Sequence, residues 1–569
     1  MGFFNVGATY EGNKVPKLTK WLFPLSGIFR DACYALVGSF LLQYAINSGV
    51  LSSNQADFEA QYRIITIAMM IALVWDGIND PIMGFIVEKF HFKGLGKFKP
   101  WILFGAIGNA IAVICMFVIR PTMVVDGATV ANGWAFVGVM IGFYFLWDLF
   151  FTINDIGYWS MLPSLTNDEH ERASITSLMT VSASIGGFLM TAACMLLPTM
   201  FNGISSAQMY MYLAIGVAIL FLLSQVAVFL LCKERKVDPN QEEVSEQTHF
   251  LDLFKVFGKN KELRVAIIAM FLYYLASGVL TGGIGLNYFY LSVGYGSGRG
   301  GLVSALISVM YVLAMVISQA LYPTIAKKIS KQKILTISFI IQMVGFAGFL
   351  ICCVPLFGDQ PLAISSTPLP EMSGMDFGWA LGGTMFMYYL FPFIFFFGMG
   401  LMYLAIMVMF QDGIDYNEYQ YGERKESITS AWRPLDVKLS SALLRGFQFI
   451  IFSVSGLLTA VNRISTAENE HNAFIAANPG QTDQVFIDEI NDIVNSVNGS
   501  EIRIAGILIV VILVGSIVAA WLLMHFGYTI TEEKHKEIVD ELEVRHKKAE
   551  EAEDAQKAEE SQEAVEANA

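Results

Sequence analysis

Two carboxylates, Asp76 and Asp80, stand four residues apart in the stretch ALVWDGINDPIMGFIVEKF, with Asn79 beside them and mostly apolar neighbours. Four residues is one helical turn, so both acids can converge on one point. Carboxylates that close repel unless a cation or a proton lies between them, and hard cations take oxygen ligands. A second stretch, FYFLWDLFFTINDIGYWSMLPSL, carries Asp148, Thr152, Asp155 and Trp159 at spacings of four, three and four, which is one helical face. Arg30 and Asp31 are adjacent in another apolar run, and Asp436, Lys438 and Arg445 fall in a third, the last two on one side of a helix. An ionisable group in the middle of a bilayer costs ~2.5–3.5 kcal/mol on insertion scales and usually marks an ion pathway or a relay. The plainer reading is a charge ladder in which Arg30, Lys438 and Arg445 pair with the acids and fix helix register. Five aspartates (Asp31, Asp76, Asp80, Asp148, Asp155) outnumber those three bases, which disfavours the ladder for the set as a whole. Asp436, near the expected helix end, is read as solvated.

The elements that position these residues are membrane helices. The chain is 55% hydrophobic and 15% charged, against about 25% charged for soluble domains. Apolar runs near the roughly 20 residues that cross a bilayer recur at 21–46, 62–88, 101–120, 134–163, 174–200, 209–232, 265–293, 302–325, 333–356, 378–410, 436–461 and 503–527. Open sheets cannot cross lipid and barrel strands are short and alternating, so the fold class is an all-α membrane protein of about twelve spans. Lys/Arg-rich and Lys/Arg-poor loops alternate, which places both termini in the cytoplasm by the positive-inside rule. The longest basic connection separates six spans from six. The division is therefore a cytoplasmic N-terminus over 1–20, a six-helix bundle over 21–232, a linker over 233–264, a second bundle over 265–527 and a charged tail over 528–569. Two such bundles with a midplane site suit a transporter of the major-facilitator kind, although no sequence identity between the halves is evident. The tail is read as a solvated helix or a disordered segment. All six cysteines fall in or at the ends of spans and are read as free thiols. No metal cluster, nucleophile–base set or phosphate loop stands out, GYGSGRGG near Gly294 reads as an outer turn, and nucleic acid is excluded by topology and charge.

WDGINDPIMGFIVEKF, GKFKPW, INDIGYWSMLPSLTNDEHERASI and QDGIDYNEYQYGERKESITSAW together resemble the glycoside–pentoside–hexuronide:cation symporters, typified by melibiose permease. The resemblance runs from about Leu22 to Phe526 and implies a plasma-membrane carrier that is no enzyme, needs no cofactor and moves a sugar or glycoside with Na⁺ or H⁺, as a monomer. It implies a cation site at Asp76, Asn79, Asp80 and Thr152, with Asp155 at its margin. Sugar contacts would fall on Arg30, Asp31, Asp155, Trp159 and Tyr403, and Lys438 would lie against the cation site and couple the two. The family's sugar-gripping arginine of the fifth helix is replaced here by Thr180. Asp148 and Arg445 are additions, expected either to pair across the cavity or to bind substrate in place of that arginine. Two other readings stay open: a cation-coupled lysophospholipid-type transporter, and a sugar sensor that binds without translocating.

Overall fold

The computed structural model describes residues 8–235, 250–281, 298–353, 383–422, 429 and 432–545, apart from positions 13, 91, 93–94, 126, 167, 201–203 and 497–498. Among these residues twelve helices are long and apolar enough to cross a membrane. In chain order they are Lys17–Asn47, Gln55–Asp80, Lys99–Val118, Gly133–Leu162, Ser174–Leu197, Ser206–Leu231, Lys261–Val279, Leu302–Ala326, Lys331–Ile351, Met385–Tyr421, Trp432–Ser455 and Ser500–Gly527, here the first to twelfth spans. The first is interrupted by a π turn at Leu36–Phe40. Two expected boundaries move. The eleventh span stops at Ser455 rather than 461, because Gly456 adopts φ 84° and opens a separate helix, Leu457–Ala477. The tenth runs on to Tyr421, past its last apolar residue, because polar side chains such as Asp412 find partners beyond the hydrophobic zone.

The helices form two sets of six with matching contacts. The first packs on the fifth and sixth, the second on the fourth, and the third on the fourth and sixth. The seventh packs on the eleventh and twelfth, the eighth on the tenth, and the ninth on the tenth and twelfth, the same arrangement shifted by six. The halves meet through the second and eleventh spans and through the fifth and eighth, pairings that exchange under the same shift.

The repeat that hydropathy only suggested is visible in side chains. A Cβ on Gly105 would stand 2.5 Å from the Asn154 nitrogen and 2.7 Å from the Phe150 carbonyl; one on Gly345 would stand 2.5 Å from the Phe395 nitrogen and 2.9 Å from the Phe391 carbonyl. Gly108 and Gly348, one turn along, lie under the rings of Phe150 and Phe391. Only glycine allows these backbones to approach so closely, the usual device where no hydrophobic force drives helices together in lipid. A carboxylate also caps the third and ninth spans alike. Glu234, just after the sixth, accepts from the backbone N–H groups of Lys97, Phe98 and Lys99 at 2.6, 3.1 and 2.9 Å, and Glu532, just after the twelfth, accepts from Lys331 at 2.5 Å. Both satisfy orphan donors at a helix N-terminus. This accounts for the GKFKP loop: Gly96, at φ 100°, leaves room where any Cβ would meet the Glu234 carboxylate at 2.7 Å.

At the end of the molecule away from the termini, the described residues include a segment that the sequence offered only as a basic-poor loop, packed on the first two spans. Helices Leu457–Ala477 and Gln484–Ser496 fold there, joined by a buried His471–Asp483 contact at 2.9 Å. The Asn462 amide donates to the Ser53 carbonyl at 3.3 Å and to Gln55 Oε1 at 2.7 Å, and Asn472 to the Ser48 carbonyl at 3.1 Å. At the terminal end, part of the tail is folded. A helix over 532–545 buries Ile538 and Leu542 against the second half. Cys33, Cys115, Cys194 and Cys232 are free thiols. The side chains of Cys352 and Cys353, the Gly294 turn, the Arg424/Lys425 loop and the tail beyond 545 lie outside the described residues.

Candidate functional site

Asp76 and Asp80 reach one point across the interface of the halves, and that point is the ammonium of Lys438. Its Nζ lies 2.9 Å from Asp76 Oδ2 and also bonds Asp80. The Thr152 hydroxyl donates to the other oxygen of Asp76 at 2.8 Å. The second, fourth and eleventh spans therefore each supply part of one cluster, in which two acids and one base leave a single negative charge. All its acceptors are oxygens. An all-oxygen set of this kind suits a hard cation. Asp80 remains 37% exposed, which leaves it open to exchange with water.

A second cluster of the same charge lies on the first and fourth spans. Arg30 is only 3% exposed; its Nη1 donates to Asp155 at 2.7 Å and its Nη2 to both Asp31 oxygens at 3.2 Å. The guanidinium lies over the Tyr158 ring at 4.3 Å, with the Trp159 ring centroid 5.8 Å away. One guanidinium cannot saturate two carboxylates, and a carboxylate has about four acceptor positions. The 37% exposure of Asp155 leaves some of them facing open space. Buried charge, an exposed carboxylate edge and a half-exposed indole are what a polyhydroxylated ring needs for hydrogen bonds and a flat apolar contact.

Tyr34 sits between the two clusters and was not anticipated. Its ring stacks on Trp147 and Phe151 with centroids 5.8 and 4.7 Å apart, and it lies in the fields of Asp76, Lys438, Asp155 and Arg445. The signal was present: Tyr34 follows Asp31 by three residues and Arg30 by four, on their helix face.

The remaining candidates are placed differently. Arg445 makes no ion pair with Asp148; its Nη2 donates instead to the Gly38 carbonyl, within the π turn whose geometry releases carbonyls from the helix. Asp148 is 4% exposed, and its Oδ2 has no partner. Asn79 is buried with its Nδ2 unbonded, on a face next to the cation cluster rather than in it. Tyr403 belongs to an aromatic group of the second half, 5.5 Å from Tyr273 and 6.3 Å from Tyr274. The structure thus joins Asp76, Asp80, Thr152 and Lys438, and separately Arg30, Asp31, Asp155 and Trp159. Asp436, expected to be solvated, is 2% exposed with Oδ2 unpartnered, because the N-terminal end of its helix is covered where Phe257 packs on Trp432 one turn away.

Residues 58–476 match the sequence model of the MFS/sugar transport protein family. The chain belongs to this family. A solved relative in fold, the bacterial homologue of the human lysosomal transporter Spinster in its inward-facing, occupied conformation, superposes with a TM-score of 0.52 at 11% identity, covering 89% of this chain and 95% of that one. Among sugar transport proteins of related sequence, the raffinose carrier protein of Pediococcus pentosaceus is 23% identical over 440 residues, which is 76% of this chain and 62% of that protein. The lactose permease of Lactobacillus delbrueckii subsp. bulgaricus is 24% identical over 535 residues, 93% of this chain and 73% of the permease. The isoprimeverose transporter of Lactiplantibacillus pentosus is 22% identical over 449 residues, with 78% and 81% covered. The chain spans less than two thirds of the raffinose carrier's length. These sugar carriers agree with the resemblance drawn from the motifs, and the twelve spans have the major-facilitator architecture.

Proposed function

We propose that this protein is a secondary active carrier that moves a sugar or glycoside across the plasma membrane together with a monovalent cation, Na⁺ or H⁺, by alternating access. The observation that carries the reading is the Asp76–Lys438–Asp80 cluster with Thr152 on Asp76: a tethered ammonium held where a travelling cation would neutralise the same two acids. Read with the termini in the cytoplasm, the cover over 457–496 lies on the outer side, and the exposed edges of Asp80 and Asp155, each 37% exposed, are the ones a cation and a sugar would meet. A cation arriving between Asp76 and Asp80 competes with Lys438 for their oxygens. The displaced lysine then changes the field at Tyr34 and Asp155, which links cation occupancy to the sugar cluster around Arg30. The acids and Lys438 lie on opposite halves, so breaking their contact also loosens the interface about which the halves rock.

The names of the related proteins support a sugar or glycoside as cargo, and the net negative charge beside Arg30 suits hydroxyl donors. Coupling between two ligands must be reciprocal, typically 5–150-fold in affinity. Titrating the purified protein with a panel of galactosides and pentosides, with and without Na⁺ and at acid and alkaline pH, tests it. The expected result is that one cation tightens one sugar by about fivefold or more, and that the sugar tightens the cation by the same factor. Sugar affinity indifferent to both Na⁺ and pH would contradict the coupling.

A further inference from the structure

Asp148 has no role in either cluster, yet it is a buried acid one turn from the cation cluster, without a hydrogen-bond partner. It sits near the midpoint of the Gly133–Leu165 helix, one turn from Thr152 on the same face. Its side chain is 4% exposed and Oδ2 has no hydrogen-bond partner. The base that sequence spacing would have given it, Arg445, is turned away to the Gly38 carbonyl. The charged groups whose fields reach it from packed elements are Asp76 and Asp80 on the second span and Lys438 on the eleventh; Tyr144, on its own helix, also feels Arg445. Lys438 is already committed to Asp76 and Asp80. On the same helix, Trp147 and Phe151 stack their rings 5.5 Å apart.

An ionised carboxylate in such a place has no hydrogen-bond donor, and the only cation whose field reaches it is shared with Asp76 and Asp80; buried acids in that position take up a proton instead. We propose that Asp148 is a proton-binding site of the carrier: it is a neutral carboxylic acid in this state, and it gives up its proton within the transport cycle. This rests on the carrier reading above and identifies a proton as a cation carried. On release the O–H bond breaks heterolytically, the proton passes to a water molecule, and the carboxylate left behind keeps the electron pair. Asp436, equally buried and unpartnered but outside both clusters, provides a control.

The test has two arms on the full-length protein. Infrared difference spectra of the purified protein across an acid-to-alkaline step should show the band of a protonated carboxyl that vanishes in Asp148→Asn, is retained and shifted in Asp148→Glu, and is reduced only by its own share in Asp436→Asn. In reconstituted vesicles, entry of a transported sugar should draw protons with it in the wild type and in Asp436→Asn, and the protons moved per sugar should be lost in Asp148→Asn. If Asp148→Asn moves no sugar, the spectral arm still decides. An unchanged carboxyl band in Asp148→Asn, or undiminished proton entry per sugar, would overturn the proposal. Wild-type vesicles that accumulate sugar with Na⁺ and without proton movement would overturn it while leaving the carrier reading intact, whereas no sugar movement under any gradient would remove the carrier reading itself.

Discussion

At the scale of single residues the molecule is two clusters, each of net charge minus one, and each has a variant that separates its role. Asp155→Asn leaves the buried guanidinium of Arg30 with Asp31 alone. Removing one partner of a buried pair is costly, up to 3–5 kcal/mol where the charge is left uncompensated, and Asp31 moderates that here. The expected outcome is sugar affinity weakened on the order of tenfold or more, while cation binding at Asp76 and Asp80 persists. Titration calorimetry with sugar and with Na⁺ checks it, and equal loss of both affinities would show that the clusters are not separable. Lys438→Met takes away the tethered ammonium. The two acids then hold a free cation about tenfold more tightly and release it poorly, so the variant should bind Na⁺ or H⁺ better and concentrate sugar worse. Weaker cation binding in that variant would mean that Lys438 supports the site rather than competing for it.

The elements decide whether those side chains meet, and part of this was legible in the chain. Twelve apolar runs, an acidic pair one turn apart and a one-sided Asp148–Thr152–Asp155–Trp159 face are properties of spacing, and the helices present them as expected. Arg445 turning to Gly38 was not legible, because a π turn at Leu36–Phe40 leaves no mark in hydropathy. Nor was the distal cover over 457–496, whose polar helices are held by packing and the His471–Asp483 contact rather than by lipid. Asn79 stands off for a simpler reason: it follows Asp76 by three residues but precedes Asp80 by one, which turns its side chain about 100° round the helix from Asp80, and its Nδ2 is left unbonded. Close packing makes its own prediction. A Cβ on Gly186 would lie 2.0 Å from the Ile28 carbonyl, where the fifth span crosses the first beside Arg30. Gly186→Val should push the first span away, lowering stability by about 1–3 kcal/mol and sugar affinity with it, measured by thermal unfolding in detergent; an unchanged midpoint would show that the helices separate freely. The tail helix is expected to respond to pH. His535 lies 3.1 Å from Asp415 and 3.3 Å from Asp412. The hydrogen bond to Asp415 raises its pKa above the ordinary histidine value, against an opposing effect of burial. A raised pKa contributes docking stability that is full below the unfolded value near 6.5 and is lost as pH climbs through the folded one. Hydrogen exchange over 532–545, corrected for its intrinsic pH dependence, should therefore quicken as pH rises through that window, and His535→Gln should abolish the change.

For the whole molecule the account is that two six-helix halves, alike down to the Gly105/Gly108 and Gly345/Gly348 contacts, exchange which end is closed, and that occupancy of a few acids at mid-depth licenses the exchange. The distal closure gives one test. Cysteines at Gln55 and Asn462, whose native side chains are 2.7 Å apart, should react with a short bifunctional thiol reagent and stop sugar entry, with recovery when a cleavable linker is reduced. Unimpeded entry with the link in place would mean that this end does not need to open. The most direct measurement is uptake of labelled glycosides by reconstituted vesicles under an imposed Na⁺ or proton gradient, with Asp76→Asn alongside the wild type. The account predicts that the wild type concentrates sugar only while one of those gradients lasts and that Asp76→Asn never concentrates it. Accumulation that ignores both gradients, or that survives undiminished in Asp76→Asn, would contradict it.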